Sequence, residues 1–168
     1  RTPAHTEITA RMLRGDGDAL PAAQFLPMAA RHGLIGRIDC RVVEKLLETL
    51  ARDASTTVFA LNISTRTLTD ADAARRLLAI LDARPGLASR LIFEMTEFGA
   101  LREWTVAQRF SGELRRRGAK VALDNFGMLQ ESLIVVHALR PAYIKLSPGY
   151  TRELRSNADC RFLVASLV

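Results

Sequence analysis

Five polar side chains are placed where they could do chemistry together, because each comes near the end of a stretch of β-forming residues. Carboxyl ends of parallel strands meet at one edge of a sheet, so we expect these side chains to lie close together. Three carboxylates and one amide are hard oxygen ligands, suited to Mg²⁺, Mn²⁺ or Ca²⁺ rather than to zinc. A cation held there can polarise a phosphoryl oxygen and activate water, and a lysine beside it could orient that water. The five residues are Glu7, Asn62, Glu94, Asp124 and Lys145.

Each of these residues, taken alone, has a simpler explanation. A strand-terminal Asp or Glu is commonly a cap or a turn residue, and Asn62 before Ser64 could only begin a loop. Five independent caps, however, would not need to fall at the same end of successive strands. The recurrence therefore favours a metal-dependent site over a series of unrelated turns.

The elements that would position these side chains alternate between short strands and longer helices. A strand is predicted in "EITARML" (7–13), and others are predicted at 58–64, 90–97, 120–127 and 142–147. Apolar residues at helical spacing predict helices at 21–33, 36–53, 70–86, 102–118 and 132–141. Thr69 or Asp70 can cap the third helix, Pro85 and Gly86 can end it, and Gly118 suits the end of the fourth. Strands that alternate with helices imply βαβ units and a mainly parallel sheet.

This α/β order is compatible with a doubly wound open sheet or with a (β/α) barrel. A doubly wound nucleotide-binding sheet normally has a glycine-rich phosphate turn after its first strand, and the sequence has none. Polar residues at the ends of several strands are typical of the top face of a barrel. We therefore predict one α/β domain over residues 1–168 with a TIM-barrel-like fold.

Composition and charge narrow the classes of partner and location. The net charge is +6, but the arginines lie mainly in helical stretches, and aromatic residues, at 6%, do not interleave with them. We therefore expect no nucleic-acid polymer as a partner. The sequence has no long apolar run, no apolar signal core, and two isolated cysteines, Cys40 and Cys160. We expect a cytoplasmic protein, or the cytoplasmic part of a membrane-bound sensor.

Four short stretches together resemble the EAL domain family of bacterial signalling proteins. They are "LNIS" (61–64), "FEMTE" (93–97), "LDNFG" (123–127) and "YIKLS" (143–147), in the order of the family patterns LNLS, LEITE, LDDFG and LKID. "FLPMAARHGLIGRID" (25–39) is similar to the segment after the family's first strand. The resemblance implies a modified (β/α) barrel that hydrolyses cyclic di-GMP to pGpG with Mg²⁺ or Mn²⁺. Inactive relatives bind the dinucleotide or act through protein contacts.

The resemblance also implies a role for each matching residue. Arg11 is implied to contact a phosphate of the ligand. Two residues are implied to belong to the catalytic set, Lys145 as the active-site lysine and Glu97 as the acid that steadies the adjacent loop. The implied metal ligands are Glu7, Asn62, Glu94, Asp124 and, at a weakened second position, Asn125.

Departures from the family patterns predict a degenerate member. Asn125 in "DNFG" replaces a second acid, and a neutral amide holds a divalent cation less tightly in a reaction that uses two. Ser147 replaces another acid, and the loop at 128–133 reads "MLQESL". The matching motifs end before the strands that carry the family's general base, and a complete barrel takes about 250 residues. We therefore expect an incomplete, C-terminally truncated barrel that is part of a longer multidomain signalling protein.

Taken together, the sequence predicts a module that binds cyclic di-GMP or regulates its signalling, with Mg²⁺ or Mn²⁺ as the cofactor if metal binding is retained. The alternatives are an active metal-dependent phosphodiesterase and a ligand-free protein-interaction domain. Open strand edges attract further chains, so we expect a second copy or a partner domain to cover the open edge of the barrel.

Overall fold

A computed structural model of the chain describes residues 5–15, 17–127, 132–153 and 156–166. The strands are β1 (Thr6–Ile8), β2 (Arg11–Leu13), β3 (Ala19–Pro21), β4 (Phe59–Asn62), β5 (Leu91–Thr96), β6 (Lys120–Phe126) and β7 (Tyr143–Leu146). The helices are α1 (Ala22–Arg31), α2 (Ile35–Leu50), α3 (Thr65–Thr69), α4 (Ala71–Asp82), α5 (Glu97–Arg102), α6 (Trp104–Arg116), α7 (Ser132–Leu139), α8 (Pro148–Glu153) and α9 (Ala158–Ser166). A 3₁₀ turn, Leu87–Arg90, precedes β5. Most of the unusual loop at 128–133 lies outside the described residues. Within the described ranges, no helix is long and apolar enough to cross a membrane.

Five of the described strands form one parallel sheet in the order β1-β4-β5-β6-β7. Each sheet strand therefore lies beside the next one along the chain, which is the connectivity of a (β/α) barrel. His5, before β1, and Tyr143, in β7, stack edge to face with their ring centroids 5.2 Å apart. The two edge strands of the sheet therefore approach each other, which means that the sheet is strongly curled. The predicted fold class is confirmed: the domain is an incomplete (β/α) barrel.

Alternating side chains divide the sheet into two faces with different neighbours. Leu61, Phe93 and Leu123 point outward into the main hydrophobic core, where the apolar sides of α2, α4 and α6 cover them. The alternate residues Ala60, Ile92 and Ala122 point to the inner face and form a separate small cluster. Because side chains alternate along a strand, the residues two positions further on return to this inner face. That geometry places Asn62, Glu94 and Asp124 together at the carboxyl edge.

The start of α4 and the end of α6 are formed by residues that the sequence indicated, whereas α4 ends at Asp82, before the predicted stop at Pro85. The carboxylate of Asp70 accepts hydrogen bonds from the N–H groups of Asp72 and Ala73 at the start of α4. Gly118 follows the end of α6 with a φ of 83°, a conformation that glycine adopts without steric cost. Asp70 thus fixes where α4 begins, and Gly118 fixes where α6 ends before β6.

The segment predicted as one strand, "EITARML", is divided into two strands that belong to different sheets. β1 pairs with β4 in the main sheet, whereas β2 pairs antiparallel with β3 in a hairpin. The turn of that hairpin closes with a hydrogen bond from the Arg14 N–H to the Asp18 carbonyl, 2.8 Å long, and contains Gly17 with a φ of 93°. As a result, Arg11 does not lie in the same strand as Glu7.

The amino-terminal edge of the sheet is held by one arginine. Arg90, at the end of the 3₁₀ turn, donates to the Asp53 carboxylate over 2.7 Å and to the main-chain carbonyls of Thr57 and Asp53 over 3.0 and 3.2 Å. Hydrogen bonds from Ser55 and then from Arg90 lower the pKa of Asp53 to about 2. The contacts join the loop before β4 to the start of β5.

We expect Arg90→Ala to lower the midpoint of thermal unfolding by several degrees at pH 7. The pKa of Asp53 is about 2 in the folded chain, against an ordinary value of about 3.9. A carboxyl group whose pKa is lower in the folded state stabilises the fold at pH values above its unfolded-state pKa. This contribution is lost as the pH falls through the folded-state pKa. Ser55 causes the larger part of this lowering and remains in the variant, so only the contribution of Arg90 is lost, and the difference between the two proteins should narrow partly between about pH 4 and pH 2. Calorimetric scans across this range, with the exposed Arg109→Ala as the control, test it; a difference independent of pH would contradict it.

Candidate functional site

The centre of the candidate site is the ammonium group of Lys145, which lies among three carboxylates from three other strands. Its Nζ is 2.9 Å from Glu94 Oε2, 3.0 Å from Glu7 Oε2 and 3.8 Å from Asp124 Oδ1. The four side chains come from β1, β5, β6 and β7, all near the carboxyl edge of the sheet. The structure therefore brings together residues that are as much as 138 positions apart in the sequence.

Asn62 completes this group from β4. It lies opposite Glu94 in the parallel register, and its Nδ2 is 3.5 Å from Glu7 Oε1, at the limit of hydrogen bonding. All five side chains that sequence analysis selected at strand ends are thus neighbours. We refer to Glu7, Asn62, Glu94, Asp124 and Lys145 as the carboxylate cluster.

Electrostatics in the carboxylate cluster favour a bound cation. The Glu94 side chain is fully buried, and its Oε1 has no hydrogen-bond partner among the described residues. Burial lowers the pKa of Lys145, but hydrogen bonds to Glu94 and Glu7 outweigh it and raise the pKa to about 12. Lys145 is therefore positively charged at neutral pH, and three carboxylates share that single charge.

Asn125 lies beside the cluster in a strained backbone position. Its φ is 54°, in the left-handed region where asparagine is one of the few tolerated residues other than glycine. The β6–β7 register shifts between Leu123 and Phe126, so Asn125 belongs to a bulge. Its Nδ2 donates to Asp124 Oδ2 over 3.3 Å. Asn125 thus contacts the carboxylate that adjoins the lysine and is itself exposed to solvent.

Glu97 is buried and lies outside the carboxylate cluster. It is the first residue of α5, directly after β5, and its Oε2 accepts a hydrogen bond of 3.1 Å from the N–H of Gly127. Gly127 has a φ of 94° and follows the bulge that contains Asn125. Glu97 therefore connects the end of β5 to the turn after β6, a position from which it can fix that turn.

Arg11 lies on the exposed β2–β3 hairpin that follows β1. It is the one predicted site residue that the structure leaves outside both the carboxylate cluster and the turn after β6. Its main chain pairs with Pro21, so the hairpin sets its position. An exposed arginine on this hairpin is available to an anionic ligand.

Asp39 is a half-buried acid beside the site that sequence analysis missed. It belongs to α2, and its carboxylate accepts hydrogen bonds from the Ser64 N–H, 3.0 Å away, and from the Thr67 hydroxyl. Burial raises the pKa of Asp39, and the bonds from Thr67 and Ser64 oppose that effect. Asp39 thereby fixes the segment that directly follows Asn62. Its position on the apolar face of α2, four residues after Ile35, was the available signal.

We expect Asp39→Ala to lower the free energy of unfolding by about 2 kcal/mol, because two donors near the core lose their acceptor. Urea denaturation followed by circular dichroism measures the change. Asp72→Ala is the matched control, since that carboxylate is 86% exposed, and should cost within about 0.5 kcal/mol. Equal losses in the two variants would contradict a positioning role for Asp39.

A cavity of about 600 Å³ opens next to the carboxylate cluster. Asn62, Glu94 and Thr96 line the polar side of the cavity. Arg66 also lines the cavity and donates a hydrogen bond of 3.2 Å to the Ala30 carbonyl. Its volume is typical of pockets for small organic ligands. The apolar part of the wall includes Ile8, Ala22, Ala23, Leu26, Pro27, Ala30, Ile35, Ile38 and Val42.

The donor atoms of the cluster are chemically suited to a divalent cation. Carboxylate and amide oxygens are the ligands that Mg²⁺ and Mn²⁺ prefer, and the unpartnered Oε1 of Glu94 has a free acceptor site. In the described part of the chain, however, no three His, Cys, Asp or Glu side chains are close enough together to hold a metal ion. The ammonium–oxygen distances of 2.9 and 3.0 Å exceed the Mg²⁺–oxygen distance of about 2.1 Å. The carboxylate oxygens would therefore have to move closer together to coordinate a metal ion.

The sequence and the fold of this chain resemble those of known proteins. The sequence profile of the EAL domain family matches residues 1–168. The cyclic di-GMP phosphodiesterase PdeF of Escherichia coli K12 is 28% identical over 99% of this chain but only 23% of its own length. The S helix-GGDEF-EAL structure of Vibrio cholerae LapD bound to c-di-GMP has a TM-score of 0.85 at 26% identity, covering 96% of this chain and 39% of that one. The FimX EAL domain of Pseudomonas aeruginosa bound to c-di-GMP shares the fold, with a TM-score of 0.83 at 23% identity, covering 99% of this chain and 69% of that one.

The chain spans about a quarter of the length of the curated relatives it matches. The family match itself extends over every residue of the chain. The predicted resemblance is confirmed: this chain belongs to the EAL domain family.

Proposed function

We propose that this domain binds cyclic di-GMP at the carboxyl edge of its sheet and acts as a receptor or regulatory module. The observation that carries the proposal is the carboxylate cluster around Lys145, with a neutral Asn125 beside Asp124. The adjacent cavity of about 600 Å³ provides room for part of a dinucleotide. Proteins similar in sequence include enzymes named for cyclic di-GMP hydrolysis, which supports the ligand class.

In this proposal the residues of the site divide the tasks of binding. Arg11 on the hairpin contacts a phosphate of the ligand. Lys145 either orients a water or stabilises phosphate charge, and Glu97 keeps the turn after β6 in place through Gly127. Glu7, Asn62, Glu94 and Asp124 would hold Mg²⁺ or Mn²⁺. When bound, such an ion would polarise a phosphoryl oxygen and lower the pKa of its water.

The regulatory role is preferred to turnover because of Asn125. Its amide donates to Asp124, and an asparagine adds no negative charge with which to hold a second cation. The alternative, an active metal-dependent phosphodiesterase, is favoured by a different observation. Lys145 is present, and Glu7, Glu94 and Asp124 each place a carboxylate oxygen within 4 Å of its Nζ.

Calorimetric titration with cyclic di-GMP, in Mg²⁺ and separately in Ca²⁺, tests the proposal. We expect binding in at least one of these conditions and no release of pGpG over hours in Mn²⁺. Release of pGpG would establish the phosphodiesterase alternative. Failure to bind the dinucleotide in either condition would contradict both and leave a ligand-free interaction domain.

A further inference from the structure

The three carboxylates of the cluster share one positive partner. Glu7, Glu94 and Asp124 each form an ion pair with Lys145 and, among the described residues, with no other cation. One ammonium leaves a formal charge of −2 on these four groups. The fully buried side chain of Glu94 also retains an oxygen without a hydrogen-bond partner. Buried acceptors in native structures normally have one.

We propose that Lys145 and a divalent cation are alternative partners for the same carboxylates. The ammonium group of Lys145 connects the ends of β1, β5 and β6. A divalent cation would occupy the space among the oxygens that Nζ fills, and two cations in that space repel. Lys145 must then leave Glu94 and Glu7. This inference rests on the assignment, under the proposed function, of these carboxylates as metal ligands.

Exchange of the two cations would couple metal loading to ligand binding. While Lys145 donates to Glu94 Oε2 and Glu7 Oε2, its ammonium is occupied by protein acceptors. Displacement from them frees its three donor hydrogens for an anion at the same edge of the sheet, such as a phosphodiester. Lys145 thus raises the metal concentration that is needed to rearrange the site, because the metal must first displace the ammonium group from the carboxylates.

The test is titration with Mn²⁺ alone, by calorimetry, of the unmodified chain and of Lys145→Met. The methionine preserves much of the side-chain length but removes the competing charge. We expect Lys145→Met to bind Mn²⁺ at least tenfold more tightly. Lys120→Met is the matched control, since it removes the same charge from the opposite end of β6, and its Mn²⁺ affinity should equal that of the unmodified chain. Equal or weaker binding by Lys145→Met would overturn the proposal.

Thermal unfolding provides a second measurement that remains informative if Lys145→Met destabilises the fold. Without metal, Lys145→Met and Lys145→Gln should unfold at lower temperature than the unmodified chain, because three carboxylates then repel one another. Added Mn²⁺ should raise their unfolding temperature more than that of the unmodified chain. If Mn²⁺ raised the unfolding temperature equally in the three proteins, or in none of them, competition between Lys145 and the metal would be overturned. Dinucleotide binding without metal would still support the proposed function in that case.

Discussion

Replacing Glu94 with glutamine should lower the affinity of the chain for Mn²⁺ by at least about 100-fold, because outer residues of metal sites already change affinity by about 10- to 100-fold. Glu94 is the most buried carboxylate of the cluster; its Oε1 has no hydrogen-bond partner among the described residues, and its Oε2 accepts only from Lys145. Glutamine has nearly the same shape but presents a neutral oxygen and an NH₂ group. The measurement is calorimetric titration with Mn²⁺ in the absence of dinucleotide.

Glu48→Gln is the matched control for this experiment. Glu48 is 47% exposed on α2, and its only described ion pair is with Arg41 at 3.7 Å. Its substitution changes the net charge of the chain by the same amount without changing the cluster. A Glu94→Gln protein that bound Mn²⁺ as tightly as Glu48→Gln would show that the cluster is not a metal site.

Replacing Phe93 with alanine should have the largest effect on stability, lowering the free energy of unfolding by about 4 kcal/mol. Phe93 lies in the middle of β5 with no exposed surface, within the core formed by the sheet and its helices. Truncation removes apolar contacts and leaves a cavity that the central strand cannot close. The loss is a large part of a typical total of about 5–15 kcal/mol. Urea denaturation or calorimetry measures it.

Phe98→Ala provides a control with the same change of side chain five residues further along. Phe98 is 63% exposed on α5, so its truncation should change the free energy of unfolding by less than about 0.5 kcal/mol. Similar losses in both variants would mean that the outward face of β5 is not the core. A loss confined to Phe93→Ala would confirm which side of the sheet the helices cover.

Much of this architecture was predictable from periodicity. The apolar runs that end in Asn62, Glu94 and Asp124 are strands in the structure, and the helical patterns between them are the crossover helices. Parallel pairing then requires the strand ends to meet, whatever the details of packing. For this reason the carboxylate cluster could be anticipated without coordinates, including the approach of Lys145.

Other features depend on local geometry that a pattern of residues does not contain. The division between β1 and β2 occurs at Thr9 and Ala10, which are compatible with an uninterrupted strand. The short helices α3 and α5 span only one or two turns, too few for a helical period to be visible. The left-handed conformation of Asn125 arises from the register shift with β7, a pairing between distant segments. Asp39 became recognisable as a site residue only through its bonds to Ser64 and Thr67.

The pairing of Lys145 with Glu7 also bears on the order in which the chain acquires its structure. The two residues are 138 positions apart, so their contact closes one of the longest loops in the domain. At synthesis rates of about 5–20 residues per second, Glu7 would leave the ribosome roughly 7–28 s before Lys145. During that interval β1, β4 and β5 can pair, but Glu7 and Glu94 have no ammonium between them. The candidate site is therefore among the last parts of the domain to form, and binding of a ligand there would report that the sheet has been completed as far as β7.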